Sequence, residues 1–295
     1  MNSIVLITKA EKDYELIASG GGKKVERYGK YILVRPDPGA IWSRSGGDEI
    51  WKNFDAEFIR KGEKGEWRPA RGNDIKKVLP ESWEINFGDL IFQIKPTSFK
   101  HTGLFPEQEP NWTWMTELIK KSDRPIKVLN LFAYTGGATL ACAKAGAEVI
   151  HLDASKKAIE WARENAKISG LEEKPVRWIL DDASIFLKRE IKRGNKYDAI
   201  IMDPPSFGHG PSGQLWKIEE DFLKLMELCR DVLSPAPLFF LINGYASGYS
   251  PIAYGNNLEF LTQKFGGQVE AGELVIEESN SKRLMPAGIF ARWKS

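Results

Sequence analysis

From residue 126 to residue 242 the chain alternates short apolar runs with longer segments whose apolar positions recur every three or four residues. The runs at 126–132, 148–152, 176–180, 197–202 and 238–242 are short enough to be buried parallel strands. Small helix-forming residues fill 138–145 until Gly146 stops them. Ser155 is a good N-cap, Ala158, Ile159, Ala162 and Ala166 form a core-facing stripe after it, and Gly170 is placed to end that helix. Phe186 and Leu187 mark the apolar face of the next helix. Residues 112–122, 219–233 and 252–265 also read as helices. Segments 273–277 and 288–293 alternate apolar with polar, as a closing antiparallel pair does. The pattern predicts an α/β fold: a Rossmann-like, mostly parallel sheet with an antiparallel last strand.

The first 98 residues are patterned differently. Short β-leaning pieces at 3–8, 14–18, 31–35 and 90–95 are separated by turn clusters such as Gly20, Gly21, Gly22 and Pro36, Asp37, Pro38, Gly39. We expect a β-rich accessory domain over 1–98 and a second domain over 99–295. Trp42, Trp51, Trp67 and Trp83 recur through the first. They either anchor a core that is otherwise thin, or stand beside Arg44, Arg68 and Arg71 as stacking surfaces for bases. Residues 97–114 form a Pro-containing connection unusually rich in aromatics, placed to cap a crevice from the N-terminal side.

Length and composition add bounds. At 295 residues the chain has room for two domains, at roughly 100–200 residues each. Apolar content of 42% and charge of 28% are those of an ordinary globular protein. The net charge of +2 gives no whole-chain case for nucleic acid, although a local basic face is compatible with it. No apolar segment approaches the roughly 20 residues of a spanning helix, and the N-terminal run is too short for a signal peptide. A cytoplasmic location and no membrane partner are expected. Two cysteines and three histidines show no ligand-like spacing, so no metal is expected.

The chemistry gathers at strand ends. In a parallel sheet, ligands sit beyond the carboxyl ends of the strands. Gly136, Gly137 and Asp153 then share one crevice, where glycines admit a ligand close to the backbone and a carboxylate accepts from both hydroxyls of a ribose. An ordinary βαβ unit with turn glycines and a solvated acid is the bland alternative. Asp182, after the third strand, is placed to accept from an exocyclic amine such as that of adenine, with the Ala183 N–H near a ring nitrogen and Asp181 as the helix cap. Asp203, Pro204 and Pro205 close the fourth strand. Two prolines remove two N–H donors, which leaves the Asp203 and Pro204 carbonyls to accept from an amine or ring N–H. Phe207 offers a face for a planar substrate, and His209, Gln214, Trp216 and Lys217 continue along a glycine-rich loop suited to a lid. A dinucleotide site would want Gly-x-Gly-x-x-Gly after the first strand. The run from Tyr134 to Thr139 lacks it. S-adenosylmethionine, which needs no phosphate cradle, fits better: glycine turn for its tail, Asp153 for its ribose, Asp182 for its adenine.

These motifs resemble a family. Asn130-Leu131-Phe132-Ala133-Tyr134-Thr135-Gly136-Gly137, Leu152-Asp153-Ala154-Ser155 and Asp203-Pro204-Pro205-Ser206-Phe207-Gly208 are similar to three motifs of class I S-adenosylmethionine-dependent methyltransferases. The nearest likeness is to the group containing bacterial large-subunit rRNA cytosine and guanine methyltransferases. His101-Thr102-Gly103-Leu104-Phe105-Pro106-Glu107-Gln108 resembles a cofactor-side loop of one branch. The resemblance implies cofactor contacts at Phe132, Ala133, Tyr134, Thr135, Gly136, Gly137, Asp153, Ala154, Ser155, Asp182, Ala183 and Asp203, with Thr102, Phe105 and Gln108 from that loop. It implies catalysis around Asp203, Pro204, Pro205 and Phe207, and acceptor contacts at His209, Trp216, Lys217, Asn243 and Tyr245. Two departures bear on mechanism. Carbon-5 enzymes of this group attack the base with a cysteine after the fourth or fifth strand, and neither 203–206 nor 243–247 contains one. Amine-methylating enzymes usually place an aromatic directly after Pro-Pro, whereas here Ser206 intervenes. The expectation is direct methyl transfer to a nitrogen or oxygen of RNA, rRNA favoured. A small-molecule or protein methyltransferase and a non-catalytic nucleoside-binding protein are the alternatives.

Overall fold

The computed structural model describes residues 2–62, 64–245 and 248–295. The quoted residues Ala246 and Ser247 lie outside them. The chain divides into two compact units. One comprises Ile7–Glu109 with Val275–Ala287, the other Met1–Leu6, Pro110–Leu274 and Gly288–Ser295. The sequence boundary was drawn at 98/99, and the compact units divide between Glu109 and Pro110.

The chain opens with β1 (Asn2–Thr8), β2 (Tyr14–Gly20), β3 (Lys23–Tyr28), β4 (Tyr31–Pro36), α1 (Gly47–Lys52), β5 (Ala56–Lys61), β6 (Lys64–Pro69), β7 (Trp83–Phe87) and β8 (Leu90–Ile94). Strands β2 to β6 form a five-stranded sheet in sequence order, and β7 pairs with β8. This is the β-rich N-terminal part that the turn clusters predict. The tryptophans serve as anchors. Trp51 and Trp67 are buried, the Trp51 indole N–H donates to the Ser45 carbonyl at 2.8 Å, and that of Trp83 to the Tyr28 carbonyl at 3.0 Å. The sequence pattern passed over β3, β5, β6 and β7, because strands such as Lys-Lys-Val-Glu-Arg-Tyr are rich in charge. It also grouped β1 with this sheet. The structure pairs β1 with a strand of the other sheet.

The second unit continues with α2 (Glu109–Lys121), β9 (Lys127–Leu131), α3 (Gly137–Lys144), β10 (Glu148–Asp153), α4 (Lys156–Ile168), β11 (Val176–Leu180), α5 (Ala183–Arg193), β12 (Ala199–Met202), β13 (Phe207–His209), β14 (Leu215–Lys217), α6 (Ile218–Val232), β15 (Phe239–Gly244), α7 (Pro251–Thr262), β16 (Gln268–Glu277) and β17 (Leu284–Lys294). The eight-stranded sheet runs β1-β16-β17-β15-β12-β9-β10-β11. Strands β9 to β12 and β15 pair in parallel, and β17 lies antiparallel to β15. The predicted fold class holds, antiparallel closing strand included. Leu129, Leu131, Ile200, Met202, Phe240 and Ile242 pack one face of the sheet against Phe222, Leu225, Cys229 and Leu258 from α6 and α7. The register carries Leu131, Asp153, Met202 and Gly244 to the same, carboxyl edge. Where a lid loop was expected, β13 and β14 make a short antiparallel hairpin.

Candidate cofactor and acceptor site

The loop after β9 is held in an unusual backbone conformation. Phe132 and Tyr134, neither of them glycine, have φ of 57° and 44°. That is a left-handed geometry that costs an L-residue of order 1–3 kcal/mol and survives only where the surroundings impose it. Several bonds impose it here. The Ala133 N–H donates to the Leu152 carbonyl at 3.1 Å and the Gly136 N–H to the Ala133 carbonyl at 3.0 Å. The Tyr134 N–H donates to Asp153 Oδ2 at 2.8 Å. Asn165 on α4 donates to the buried Thr135 carbonyl at 2.9 Å. Gly136 has φ of 88°, and a Cβ there would come 3.0 Å from Ala162 Cβ, so both conformation and space require glycine. A Cβ on Gly137 would come 2.4 Å from the Trp112 ring, which lets α2 close over the start of α3.

Asp153 closes β10. Its Oδ1 accepts from the Ser155 N–H at 2.8 Å, opposite the Tyr134 bond on Oδ2. Burial raises its pKa, and bonds from the Ser155, Tyr134 and Ala154 backbone offset part of that. Both Asp153 oxygens are therefore oriented by backbone donors. Ser155 caps α4 as expected, its Oγ accepting from the Ala158 N–H at 3.3 Å. At the end of β11 the helix cap falls on the other acid. Asp182, not Asp181, is the helix N-cap, its Oδ1 accepting from the Ile185 N–H at 2.9 Å, while Asp181 pairs with Arg189. Ala183 is buried in the first turn of α5.

Asp203, Pro204 and Pro205 follow β12, next to β9 on one side and β15 on the other. The Trp216 indole donates to the Pro205 carbonyl at 2.6 Å, and the Ile218 N–H to the Ser206 carbonyl at 3.1 Å. Trp216, expected on an open lid, is instead buried, with its ring 5.2 Å from that of Phe132. It ties the proline corner to the loop after β9. Phe207 is 55% exposed and sits edge-on to His209 at 5.2 Å, so the pair forms an accessible aromatic corner. Lys217 pairs with Glu220 at 2.8 Å. Asn243 lies inside β15 rather than beyond it, buried, with Oδ1 accepting from Asn111 at 3.0 Å. Tyr245, the next side chain out from Gly244, is exposed. Thr102, Phe105 and Gln108 belong to the other compact unit. There Thr102 and Gln108 are buried, and Phe105 precedes a 3-10 turn over Pro106–Gln108.

Sequence reasoning missed the buried polar chain beneath the loop. Asn130 donates to Thr139 Oγ1 at 2.9 Å, and that hydroxyl lies 2.9 Å from His151 Nδ1. Burial, with the Arg163 charge, lowers the His151 pKa to about 3, so the ring is neutral. Polar residues at inward positions of otherwise apolar strands were the available signal. Among the described residues no cluster of three or more His, Cys, Asp or Glu could hold a metal ion, and no helix is long and apolar enough to cross a membrane.

The model of a family described as S-adenosylmethionine-dependent methyltransferase matches residues 65–253. The chain belongs to this family. S-adenosylmethionine is accordingly its cofactor. An S-adenosylmethionine-dependent methyltransferase from Agrobacterium tumefaciens, solved as a crystal structure, is 40% identical, with a TM-score of 0.93 over 99% of this chain and 93% of that one. The ribosomal RNA large subunit methyltransferase K/L of Syntrophotalea carbinolica is 29% identical over 56% of this chain and 22% of its own length. The same-named protein of Pseudomonas aeruginosa is 29% identical over 55% and 22%. The chain spans 22–37% of the length of the first curated relatives it matches.

Proposed function

We propose that this methyltransferase acts on RNA, rRNA foremost, by direct transfer to a nitrogen or oxygen nucleophile, in the cytoplasm. The observation that supports it best is the braced corner at Asp203, Pro204 and Pro205 beside the loop of residues 132–137. In this reading Phe132 to Gly137 hold the amino-acid tail of S-adenosylmethionine, Asp153 with Ala154 and Ser155 its ribose, and Asp182 with Ala183 its adenine. Asp182 gives Oδ1 to the helix cap, which leaves Oδ2 to accept from the amine.

The cofactor supplies an electrophilic methyl on its sulfonium. Asp203 and the Pro204 carbonyl orient the acceptor N–H or O–H, and Phe207 takes the plane of the base. With the cofactor bound, Asp203 or water would take the proton that the nucleophile gives up on methylation. Positioning of this kind contributes several kcal/mol to lowering a barrier. A covalent carbon-5 route is disfavoured by the cysteines themselves. Cys142 and Cys229 are fully buried in α3 and α6, and burial pushes both thiols well above their ordinary pKa. A thiol that does not ionise is a poor nucleophile.

The names of the ribosomal RNA relatives favour RNA over a small molecule or a protein. Nucleoside mass spectrometry of rRNA and tRNA from cells with and without the gene tests the reading. A methylated nucleoside missing from rRNA in the deletion strain is the expected result. Unchanged nucleoside profiles would overturn it.

A further inference from the structure

In the unit built on β2 to β6, residues 97–101 form a turn locked from within. Thr97 Oγ1 donates toward the carbonyls of Phe99 and His101 at 3.0 and 3.1 Å, and accepts from the Phe99 N–H at 3.2 Å. Its first two residues are tied to β6. The Trp67 indole donates to the Thr97 carbonyl at 2.9 Å, and the Gly65 N–H to the Ser98 carbonyl at 2.9 Å. The turn holds Phe99 out, 51% exposed. An aromatic ring fixed outward by a rigid turn gains no packing from its exposure.

The next residue is a cation in cationic surroundings. Lys100 is half-buried. Its carbonyl accepts from Arg35 Nη1 at 2.9 Å, and its ammonium group feels Lys24, Arg35 and Arg60, with Asp37 acting the other way. Lys24 and Arg35 lie directly opposite each other across β3 and β4. The acids of the cluster have other partners. Glu26 is taken up by Arg35 at 2.7 and 2.8 Å, and Asp37 sits 3.4 Å from Lys24. Four cations face two carboxylates, and the Lys100 ammonium has no ion pair of its own among the described residues. Burial foremost, and then the neighbouring cations, lower the Lys100 pKa against the opposing pull of Asp37. A cavity of about 380 Å³ lies on the other flank of the turn, lined by Trp67, Ile75, Leu79, Pro96, Thr97 and Ser98.

An outward aromatic next to a cluster in which cations outnumber acids is the pairing that single-stranded nucleic acid calls for: a ring for a base and cations for the adjoining phosphates. We propose that residues 97–101, with Lys24 and Arg60, are a subsite for single-stranded RNA, Phe99 stacking on a base and Lys100 holding the neighbouring phosphate. The proposal rests on the RNA reading above and extends it to the β-rich unit.

Fluorescence anisotropy on the full chain tests it, with a labelled single-stranded RNA of about 12 nucleotides and a duplex of the same length. Phe99→Ala and Lys100→Ala each weaken single-strand binding about tenfold, and Lys100→Arg retains it. Lys100→Ala also lowers the slope of log affinity against log salt by about 0.7, the share of one single-strand phosphate. Thermal melts confirm that the variants are folded. Unchanged affinity and slope in folded variants overturn the subsite. So does an equal effect on duplex, or full protection of Lys100 from acylation by inorganic phosphate with none by RNA, which would mark a small-anion pocket. If rRNA loses a methylated nucleoside in the deletion strain while these variants bind normally, only the subsite falls. If the wild-type chain binds no RNA and no nucleoside is lost, the proposed function falls with it.

Discussion

The Trp216 indole N–H meets the Pro205 carbonyl at 2.6 Å, while the same ring packs 5.2 Å from Phe132. One buried side chain thus joins the corner proposed to orient the acceptor to the loop proposed to hold the cofactor. The β13–β14 hairpin is what delivers it, since Trp216 pairs with Gly208 across that hairpin. The hairpin therefore acts as a brace for the corner.

Trp216→Phe separates the two contacts, because it keeps a ring and removes the donor. One lost hydrogen bond costs about 1 kcal/mol of stability. Misplacement of a reacting group on the ångström scale costs up to about a hundredfold in rate. The expected outcome is a urea midpoint shifted modestly, a kcat lowered roughly ten- to a hundredfold, and an unchanged KM for S-adenosylmethionine. A kcat at the wild-type level would show that the brace is dispensable.

Asp153 should dominate cofactor affinity. Replacing it with Ala removes acceptors for two ribose hydroxyls, at about 1.5–3 kcal/mol each, or roughly ten- to a hundredfold in Kd per bond. Its pH dependence has a definite sign. The folded-state pKa is raised above 3.8, so acidification protonates the carboxylate earlier than it would a solvated one and removes its acceptor capacity. Affinity measured by calorimetry falls as pH drops toward the raised pKa, and Asp153→Asn flattens that profile. Indifference of Kd to both changes would remove Asp153 from the site.

Asp182 caps α5 and is proposed to hold the adenine amine, two duties that substitution can part. Asp182→Ala removes the α5 cap and costs about 0.5–2 kcal/mol. Asp182→Ser keeps a competent cap, and thermal melts should place it near wild type. Both lose the longer carboxylate and weaken cofactor binding about tenfold. If the serine variant bound S-adenosylmethionine normally, the aspartate would be a cap and nothing more.

Legibility followed how each residue's burden is expressed. Strands β9, β10, β12 and β15 are buried on both faces and so stand out as apolar runs. Ser155 and Gly170 act within their own turn, so local pattern revealed them. Strand β3 carries Lys23, Lys24, Glu26 and Arg27 around its buried Val25 and Tyr28, and these charges, the buried Glu26 among them, hid the strand. Asp181 and Asp182 are equally plausible caps in one dimension, and only the backbone geometry at the end of β11 selects the second. Trp216 was misread because its partner, Pro205, is reached through a hairpin that glycine-rich sequence had suggested as open loop. Asn130, Thr139 and His151 meet from three elements, and no spacing in the chain announces that.

The β-rich unit encloses a buried ion pair that is costly to break from one side. Glu26 is fully buried, and Arg35 clasps it with Nε and Nη2 at 2.7 and 2.8 Å while the Tyr14 hydroxyl donates at 2.9 Å. Burial alone would raise the carboxyl pKa, but Arg35, Lys24 and these bonds outweigh it and hold the value at about 2, against 4.5 for an ordinary glutamate. A depressed carboxyl gives stability that is fully present above the unfolded pKa and is lost as pH falls through the folded one. Urea melts should therefore weaken between about pH 4.5 and 2, and Glu26→Gln should flatten that decline. Arg35→Met strands the carboxylate in an apolar interior and costs about 3–5 kcal/mol. The double change Glu26→Leu with Arg35→Met removes both charges and should recover much of that loss, since the pair's net worth is small once its desolvation is counted. A single variant no less stable than wild type would mean that water reaches this pair.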